Sequence, residues 1–249
     1  MNILKIVKEW DKNAEQRYWQ IKSGRDISYR CILVPTILSI LGDVSSKKGI
    51  DLGCGPGILT KFIAQRAKKV VGVDFSKKMI SIATSECRRV PNAIFHCSSV
   101  EHYLSKSKTS AFDFAVANMF LNTVPEIDNI LERLSRVLRK EGRFIFSVAH
   151  PCFWNNYRTI IKKNKYQYTK SYSAKWKFKI SLDQKGLPKP VSFFHRPLSA
   201  YSVAIRNAGF HTVRFYEPMP NERIKKLYPK KWEFPRFLFW EVLNVKGKS

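Results

Sequence analysis

The chain has 249 residues, of which 44% are apolar, enough for one domain with a substantial core. It contains 45 basic and 19 acidic residues, and the formal net charge of +26 would attract anionic small molecules, nucleic acid or an anionic membrane surface. The alternative is that the charge has no functional role and only reflects a preference for lysine on solvent-exposed faces. No apolar run is long enough for a membrane helix, and no signal-peptide pattern opens the chain. The five cysteines form no CxxC pair, so we expect reduced thiols in a cytoplasmic protein without a metal site.

The N-terminal residues 1–45 carry a helical pattern. Trp10, Tyr18 and Trp19 precede an apolar stretch from Ile32 to Leu41. Tyr18 and Trp19 would line a pocket if this segment covers one, and otherwise they would pack the segment onto the core. Tyr18 is therefore a candidate catalytic residue.

A glycine-rich turn at residues 50–57 organises the rest of the chain. Asp51 lies at the end of a short apolar run, and Gly53 and Gly55 follow, which lets the backbone turn sharply with no side chain between it and a ligand. A helical apolar pattern comes next, and a second buried strand then ends in Asp74. This order of elements is typical of the nucleotide-binding half of a doubly wound sheet, in which Asp74 would accept both hydroxyls of a ribose.

Two cofactors suit this arrangement. A dinucleotide prefers Gly-x-Gly-x-x-Gly, because its pyrophosphate must reach the helix N-terminus; here Gly57 comes one residue early. The carboxylate of Asp51 would repel a pyrophosphate but suits a cationic ligand. S-adenosylmethionine (SAM) has a ribose, an ammonium group and a sulfonium, and no phosphate. The motif resembles that of the class I SAM-dependent methyltransferases, in the broad type 11 group, through Asp51-Leu52-Gly53-Cys54-Gly55-Pro56-Gly57 together with Asp74.

The resemblance continues over nearly all of residues 47–151. Apolar runs predict strands at 93–97, 112–120 and 142–151, and an amphipathic helix at 126–140 that Gly142 ends. The run from Leu134 to Phe144 closely matches the type 11 pattern. The resemblance therefore implies an α/β fold: a Rossmann-like, seven-stranded, mostly parallel sheet with helices on both faces.

The resemblance also implies how the single domain is divided. Residues 1–45 would form a helical lid, 46–152 the SAM-binding core, 153–189 an inserted substrate cover and 190–249 the completion of the sheet. Within the insert, alternation predicts short strands at 166–170 and 175–179. After it, we expect a helix at 197–210 and two final strands at 212–217 and 237–243.

The predicted contacts with SAM follow from the same resemblance. Arg30 would pair with the carboxylate of the methionine moiety, and Phe75 and Met79 would lie beside the adenine. Ser99 stands where relatives commonly have an aspartate that binds the adenine amino group, with Val100 as its hydrophobic neighbour. Asn118 and Met119 would lie where the methyl group meets its acceptor. The full set is Arg30, Asp51, Gly53, Cys54, Gly55, Asp74, Phe75, Met79, Ser99, Val100, Asn118 and Met119, with no metal ligand.

Two histidines are candidates for a catalytic base. His150 ends the fifth predicted strand, and an imidazole titrates where a base is useful. His195 would contact the acceptor from the side of the insert. The alternative for each is a histidine that only hydrogen-bonds a neighbouring loop.

The sequence therefore predicts a SAM-dependent methyltransferase that acts on oxygen or nitrogen of a small, anionic molecule. An RNA methyltransferase is the first competing hypothesis, because the insert interleaves aromatic and basic residues that would stack bases and bind phosphates. A non-catalytic SAM-binding protein is the second, and the intact acidic and glycine motif argues against it. The identity of the acceptor and the oligomeric state do not follow from the sequence.

Overall fold

The computed structural model describes residues 3–158, 160–162, 165–183 and 185–246. A seven-stranded sheet occupies the centre, with a separate two-stranded sheet beside it. The strands are β1 (Val44–Leu52), β2 (Ala67–Asp74), β3 (Ala93–Cys97), β4 (Phe112–Asn118), β5 (Leu138–Ala149), β6 (Tyr172–Trp176), β7 (Val191–His195), β8 (Phe210–Tyr216) and β9 (Phe237–Asn244). The helices are α1 (Ile3–Lys22), α2 (Val34–Leu41), α3 (Ile58–Ala64), α4 (Lys77–Glu86), α5 (Val100–Lys106), α6 (Asp128–Val137), α7 (Trp154–Arg158), α8 (Leu198–Ala208) and α9 (Glu222–Lys225), and Tyr29–Leu33 form a π-helical turn.

The strand order in the main sheet is β3-β2-β1-β4-β5-β9-β8. The strands β1 to β5 run parallel, whereas β9 lies antiparallel to both β5 and β8. The predicted seven-stranded, mostly parallel sheet is therefore confirmed. The chain reverses its direction of travel across the sheet between β1 and β4, and ligands of such sheets bind at the carboxyl ends of the strands beside that reversal.

Two apolar clusters cover the two faces of the sheet. One contains the buried sides of α5, α6 and α8, and the other contains α2, α3 and the π-helical turn together with Trp154 and Phe193. The central strands contribute to both clusters because their side chains alternate between the faces, which is why β4 reads as an almost continuous apolar run. None of the described helices is long and apolar enough to cross a membrane.

The amphipathic helix after β4 is shorter than predicted. The expectation was residues 126–140 with Gly142 as its end, but α6 stops at Val137, and Leu138 already pairs with Phe112 as the start of β5. Gly142 lies inside β5, where a Cβ atom would come within 2.7 Å of the Arg139 carbonyl oxygen. The glycine thus permits a bend in the strand instead of ending a helix.

The insert also differs from its predicted strands. Residues 166–170 contain no strand, and β6 begins three residues before the predicted strand at 175–179. Its partner is β7, which pairs antiparallel with it from Tyr172–His195 to Trp176–Val191. The pairing crosses the boundary expected at residue 189, and the proposed division of the domain stays a prediction.

The helix α1 fastens the insert to the core. Gln16 and Gln20 donate to one carboxylate oxygen of Asp183, at 2.8 and 2.9 Å. The side-chain amide of Asn13 exchanges two hydrogen bonds with the backbone of Lys189. On its other side, α1 packs along α4, where Asp11 accepts a hydrogen bond of 2.6 Å from the Ser76 hydroxyl. The helix therefore lies across the carboxyl ends of the central strands.

Candidate functional site

A single cavity opens at the carboxyl ends of β1, β2 and β4. Its glycine wall consists of Asp51, Gly53, Cys54, Gly55, Asp74, Phe75, Met79, Asn118 and Met119. Another part of the lining, which we call the insert wall, lies where the sequence predicts the methyl acceptor. It includes Asn122, Trp154, Trp176, Phe178, Lys179 and Phe193. Trp10, Arg17 and Ile21 of α1, with Asp26 and Tyr29 after it, are among the other residues that line the cavity. Nine of the predicted cofactor-binding residues thus line one cavity.

The two glycines of the turn have different roles. Both have positive φ, +67° at Gly53 and +53° at Gly55, which favours glycine. A Cβ atom at Gly53 would lie 2.3 Å from the ring of Phe120, so this glycine makes room for protein. A Cβ atom at Gly55 would have no atom within 4 Å, and Gly55 lines the cavity. Gly55 is therefore the position where the backbone is bare toward a ligand.

Asp74 is fixed by the turn beside it. Its carboxylate accepts hydrogen bonds from the backbone N–H of Gly55, at 3.0 Å, and from that of Ser76, at 2.9 Å. Burial raises the pKa of Asp74 to about 6, although the backbone donors work in the opposite direction. Near neutral pH the group is therefore mostly a carboxylate, half-buried in the lining of the cavity, with its orientation set by the main chain.

Asp51 is the second carboxyl of the glycine wall, and it is more deeply buried than Asp74. It is 1% exposed, and its Oδ2 accepts a hydrogen bond of 2.6 Å from the Thr60 hydroxyl. Burial is the main cause that raises the pKa of Asp51 to about 7. A cationic group bound against Asp51 would favour its charged form, because opposite charges stabilise each other in a poorly solvated site.

The loop after β4 orients the far end of the glycine wall. Met119 has a positive φ of +56°, and its N–H donates to both the carbonyl and the hydroxyl oxygen of Ser147, at 3.0 Å each. The same hydroxyl donates to Oδ1 of Asn118 at 2.7 Å. The neighbouring strand β5 therefore holds both residues at the edge of the cavity.

Arg17, and not Arg30, brings a guanidinium group to the cavity. Arg30 is exposed and lies outside the lining. Arg17 donates from Nη1 to Asp26, at 2.6 Å, and to Gln20, at 3.2 Å. Its guanidinium carbon lies 5.7 and 4.8 Å from the ring centroids of Tyr29 and Phe178. The structure therefore corrects the expected position of the arginine.

A helical pattern in the sequence already contained this residue. Trp10, Arg17 and Ile21 are separated by seven and four positions, so they share one face of α1, and all three line the cavity. Tyr18 belongs to the adjoining face, where its hydroxyl donates to Glu86 at 2.7 Å, outside this cavity. The candidate role of Tyr18 in catalysis is therefore not supported by its position.

Ser99 and Val100 also lie outside the lining. The Ser99 hydroxyl accepts a hydrogen bond of 3.1 Å from the His102 N–H and thereby caps the N-terminus of α5. Val100 is buried in the core cluster that contains α5 and α6. Their side chains thus serve the fold, in contrast to the adenine contacts expected of them.

The two candidate bases are occupied elsewhere. Nδ1 of His150 accepts from the Cys152 N–H at 3.2 Å, and Nε2 lies 2.6 Å from a carboxylate oxygen of Glu217. Nε2 of His195 donates to the Tyr168 carbonyl at 2.9 Å, and burial lowers the pKa of His195. Neither histidine lines the cavity, since each points toward its loop partner.

Aromatic rings form most of the insert wall. The rings of Trp154 and Trp176 meet edge to face with centroids 5.4 Å apart, and Phe178 and Phe193 flank Trp176 at 4.9 and 6.1 Å. These rings come from α7, β6, the segment after β6, and β7, and the sequence alone does not bring them together because the register of the small sheet is not visible in it. The wall suits an apolar or cationic portion of a ligand.

Comparison with known proteins agrees with this arrangement. Residues 50–146 match a family model described as a methyltransferase domain. The chain is 26% identical to the ubiquinone biosynthesis O-methyltransferase of Nitrosomonas europaea, over 57% of this chain and 57% of that protein. It is also 26% identical to the phosphoethanolamine N-methyltransferase of Triticum aestivum, over 72% of this chain and 38% of that one. The chain thus spans about half or less of the length of these two relatives.

A solved structure shares the fold. The SAM-dependent methyltransferase of Mesorhizobium loti superposes with a TM-score of 0.66 at 21% identity, covering 84% of this chain and 96% of that one. The residues found here fit SAM: Gly55 leaves open space, and the carboxyls of Asp74 and Asp51 and the guanidinium of Arg17 match its ribose, ammonium and carboxylate groups. Residues 50–146 therefore form a methyltransferase domain, within a chain that has the fold of the SAM-dependent methyltransferases.

Proposed function

We propose that this protein transfers the methyl group of SAM to an oxygen or nitrogen of a small molecule that carries an anionic group. The observation that supports this proposal is the continuity of the cavity, in which the glycine wall and the aromatic insert wall face the same space. SAM supplies a methyl group on a sulfonium, which is already an activated leaving group. The chain must then align an acceptor with that group and exclude water.

In this proposal, the glycine wall and α1 hold SAM from two ends. Asp74 accepts hydrogen bonds from the ribose hydroxyls, and Phe75 and Met79 flank the adenine. Asp51 attracts the ammonium group and Arg17 the carboxylate of the methionine moiety. Asp51 and Arg17 both act electrostatically on Tyr29, so an acidic and a basic group lie within electrostatic reach of one residue, as suits the two charges of an amino-acid group.

The charge of the acceptor is inferred from the lining of the insert wall. Lys179 contributes a cation there, beside the rings of Trp176 and Phe178. The wheat relative is named for phosphoethanolamine, an amine that carries a phosphate, which belongs to the proposed class. Against an RNA substrate, Trp176 and Phe178 line the cavity and thus are not presented on an open stacking surface. All five cysteines are free, which supports a cytoplasmic location.

Replacing Arg17 tests how the cofactor is held. We expect Arg17→Met to weaken the binding of S-adenosylhomocysteine (SAH) by about thirtyfold, since a charge-assisted hydrogen bond contributes about 1.5–3 kcal/mol. Affinity for 5′-methylthioadenosine, which lacks the amino-acid group, should stay within about twofold. Arg30→Met is the matched control and should bind both ligands as the wild type does. Calorimetry that finds the loss in Arg30→Met instead would restore the original assignment.

Replacing Lys179 tests the anionic acceptor, and with it the proposed function. In an assay with methyl-labelled SAM, we expect the wild type to methylate phosphate- or carboxylate-bearing acceptors in preference to uncharged analogues. Lys179→Glu should raise KM for the charged acceptors about tenfold or more and leave SAH binding intact. Lys177→Glu is the control, because Lys177 is exposed and lies outside the lining. Equal effects of the two substitutions would mean that the overall positive charge of the protein, and not a contact with Lys179, attracts the acceptor. Methylation of RNA alone would favour the competing hypothesis.

A further inference from the structure

Asn122 is a buried residue of the insert wall whose side-chain amide lacks a partner. It is 5% exposed and lines the cavity. Its Oδ1 atom is buried without a hydrogen bond, and among the described residues none reaches Nδ2 either. Burying an unpaired amide destabilises a fold, so such a group is explained when a ligand completes it.

The lack of a partner does not come from a loosely held loop. The Asn122 carbonyl accepts a hydrogen bond of 2.9 Å from the Phe194 N–H. On either side, Arg196 donates to the carbonyls of Leu121 and Val124, at 2.9 and 2.7 Å. The backbone is therefore satisfied and fixed, and only the amide group is left to turn about its Cβ–Cγ bond toward the cavity.

We propose that the methyl acceptor is an amine, and that the amide of Asn122 accepts a hydrogen bond from its N–H and so positions its nitrogen. This inference rests on the proposed function and narrows its choice between oxygen and nitrogen. A neutral amine attacks through its lone pair, so an N–H accepted by Oδ1 leaves that lone pair free to face the methyl carbon. Asn122 is thus a positioning residue.

The chemistry requires no base in the cavity. The nitrogen lone pair forms the new N–C bond, and the S–C bond of the sulfonium breaks with its electron pair left on sulfur. The methylated ammonium product then releases a proton to water. A hydroxyl acceptor would instead need a group that takes its proton during attack, and an amide cannot serve as that group.

The described lining offers no disengaged base on the acceptor side. Both oxygens of Asp26 are occupied, Oδ1 by the Tyr29 N–H at 2.9 Å and Oδ2 by Arg17 at 2.6 Å. Asp51 and Asp74 belong to the glycine wall, and neither His150 nor His195 reaches the cavity. An amine therefore suits the described residues better than a hydroxyl does.

The surroundings of Asn122 also suit an amine in its neutral form. Lys179 and Arg17 line the same cavity, and nearby positive charge lowers the pKa of an amine. After transfer, the product is a cation, and the aromatic faces of Trp176 and Phe193 attract it without a hydrogen bond.

The test compares matched amines and alcohols on the full-length protein. The probes are 2-aminoethyl phosphate with 2-hydroxyethyl phosphate, and phenylalanine with 3-phenyllactate, each with methyl-labelled SAM. We expect methyl transfer to an amine and not to its alcohol. Asn122→Leu should lower kcat/KM for the amine about thirtyfold or more, leave SAH affinity within about twofold, and keep or raise Tm. Asn122→Asp, whose carboxylate accepts the same N–H, should retain most of the activity.

Asn155 supplies the stability control. Its amide exchanges two hydrogen bonds with the backbone of Ile161, at 2.8 and 3.0 Å, outside the cavity, so Asn155→Leu should lower Tm where Asn122→Leu does not. An independent readout is the side-chain ¹⁵N signal of Asn122, assigned by its loss in Asn122→Leu, which should shift on addition of the amines only.

Three results would overturn the inference while the proposed function stands. They are methylation of the alcohols in place of the amines, wild-type amine turnover in Asn122→Leu, and an Asn122 signal that no amine moves. A wild-type protein that binds no SAM would instead remove the proposed function itself.

Discussion

Leucine at position 55 is expected to abolish the binding of SAM, with affinity falling about a thousandfold or more. The backbone of Gly55 borders the cavity, and a side chain there would enter space that contains no protein atom within 4 Å of the Cβ position. Because SAM would pass through that space in the proposed binding mode, the expected effect is steric exclusion. Calorimetry with SAH would measure it directly.

Gly42→Leu is the matched control for backbone strain. Gly42 has a φ of +62°, nearly that of Gly55, and open space around its Cβ position, but it follows α2 and does not line the cavity. Both substitutions place a leucine at positive φ, and the ψ of −140° at Gly42 gives a backbone conformation that is among the least favourable for a side chain, so Gly42→Leu should lower Tm at least as much as Gly55→Leu does. Only Gly55→Leu should lose SAH. Binding by Gly55→Leu within tenfold of the wild type would contradict the assignment of the open space.

The glycine turn shows how far a motif predicts a site. The sequence indicated that alternate glycines leave the backbone bare toward a ligand, and at Gly55 the structure has open space that borders the cavity. At Gly53 the missing side chain makes room for Phe120 instead, because a Cβ atom there would lie 2.3 Å from the Phe120 ring. The motif gives the positions where a side chain is excluded, but only the neighbouring loop decides whether ligand or protein takes the space.

The fold was largely predictable because apolar periodicity reports burial. Strands at the centre of the sheet, such as β4, are apolar on both faces and were recognised with nearly correct bounds. The end of α6 was not predicted correctly, because Leu138 is apolar and suits either a helix or a strand. Its pairing with Phe112 is a long-range contact that no local pattern contains.

The site was less predictable, since distance along the chain does not give the direction of a side chain. Arg30 has the distance from the glycine turn that the resemblance implies for a carboxylate-binding arginine, but its side chain is exposed. Arg17 instead lines the cavity on one face of α1. His150 does lie at the end of β5, but its ring turns to Glu217 and Cys152. Asn122 had no signal at all, because an unpaired amide becomes visible only when every neighbour is in place.

The loss of the Asp74 carboxylate is expected to weaken SAH binding about a hundredfold or more. Two charge-assisted hydrogen bonds to the ribose would contribute about 1.5–3 kcal/mol each, because the bound ligand would cover the half-buried carboxylate. Asp74→Ala also removes two acceptors for backbone N–H groups, so some loss of Tm is expected. Asp113→Ala is the control, because Asp113 also accepts a backbone hydrogen bond, from Lys48 at 2.7 Å, away from the cavity.

Deoxy analogues of SAH separate the ribose contact from damage to the turn. If Asp74 accepts the ribose hydroxyls, then 2′-deoxy- and 3′-deoxy-SAH should bind the wild type more weakly, and Asp74→Ala should no longer distinguish them from SAH. The advantage of the wild type should also shrink below pH 6, since the pKa of Asp74 is about 6 and the protonated carboxyl accepts less strongly. If the free-energy losses from Asp74→Ala and from the missing hydroxyls were additive, the ribose would be bound elsewhere. Two groups that share one hydrogen bond lose it only once, so their losses cannot add.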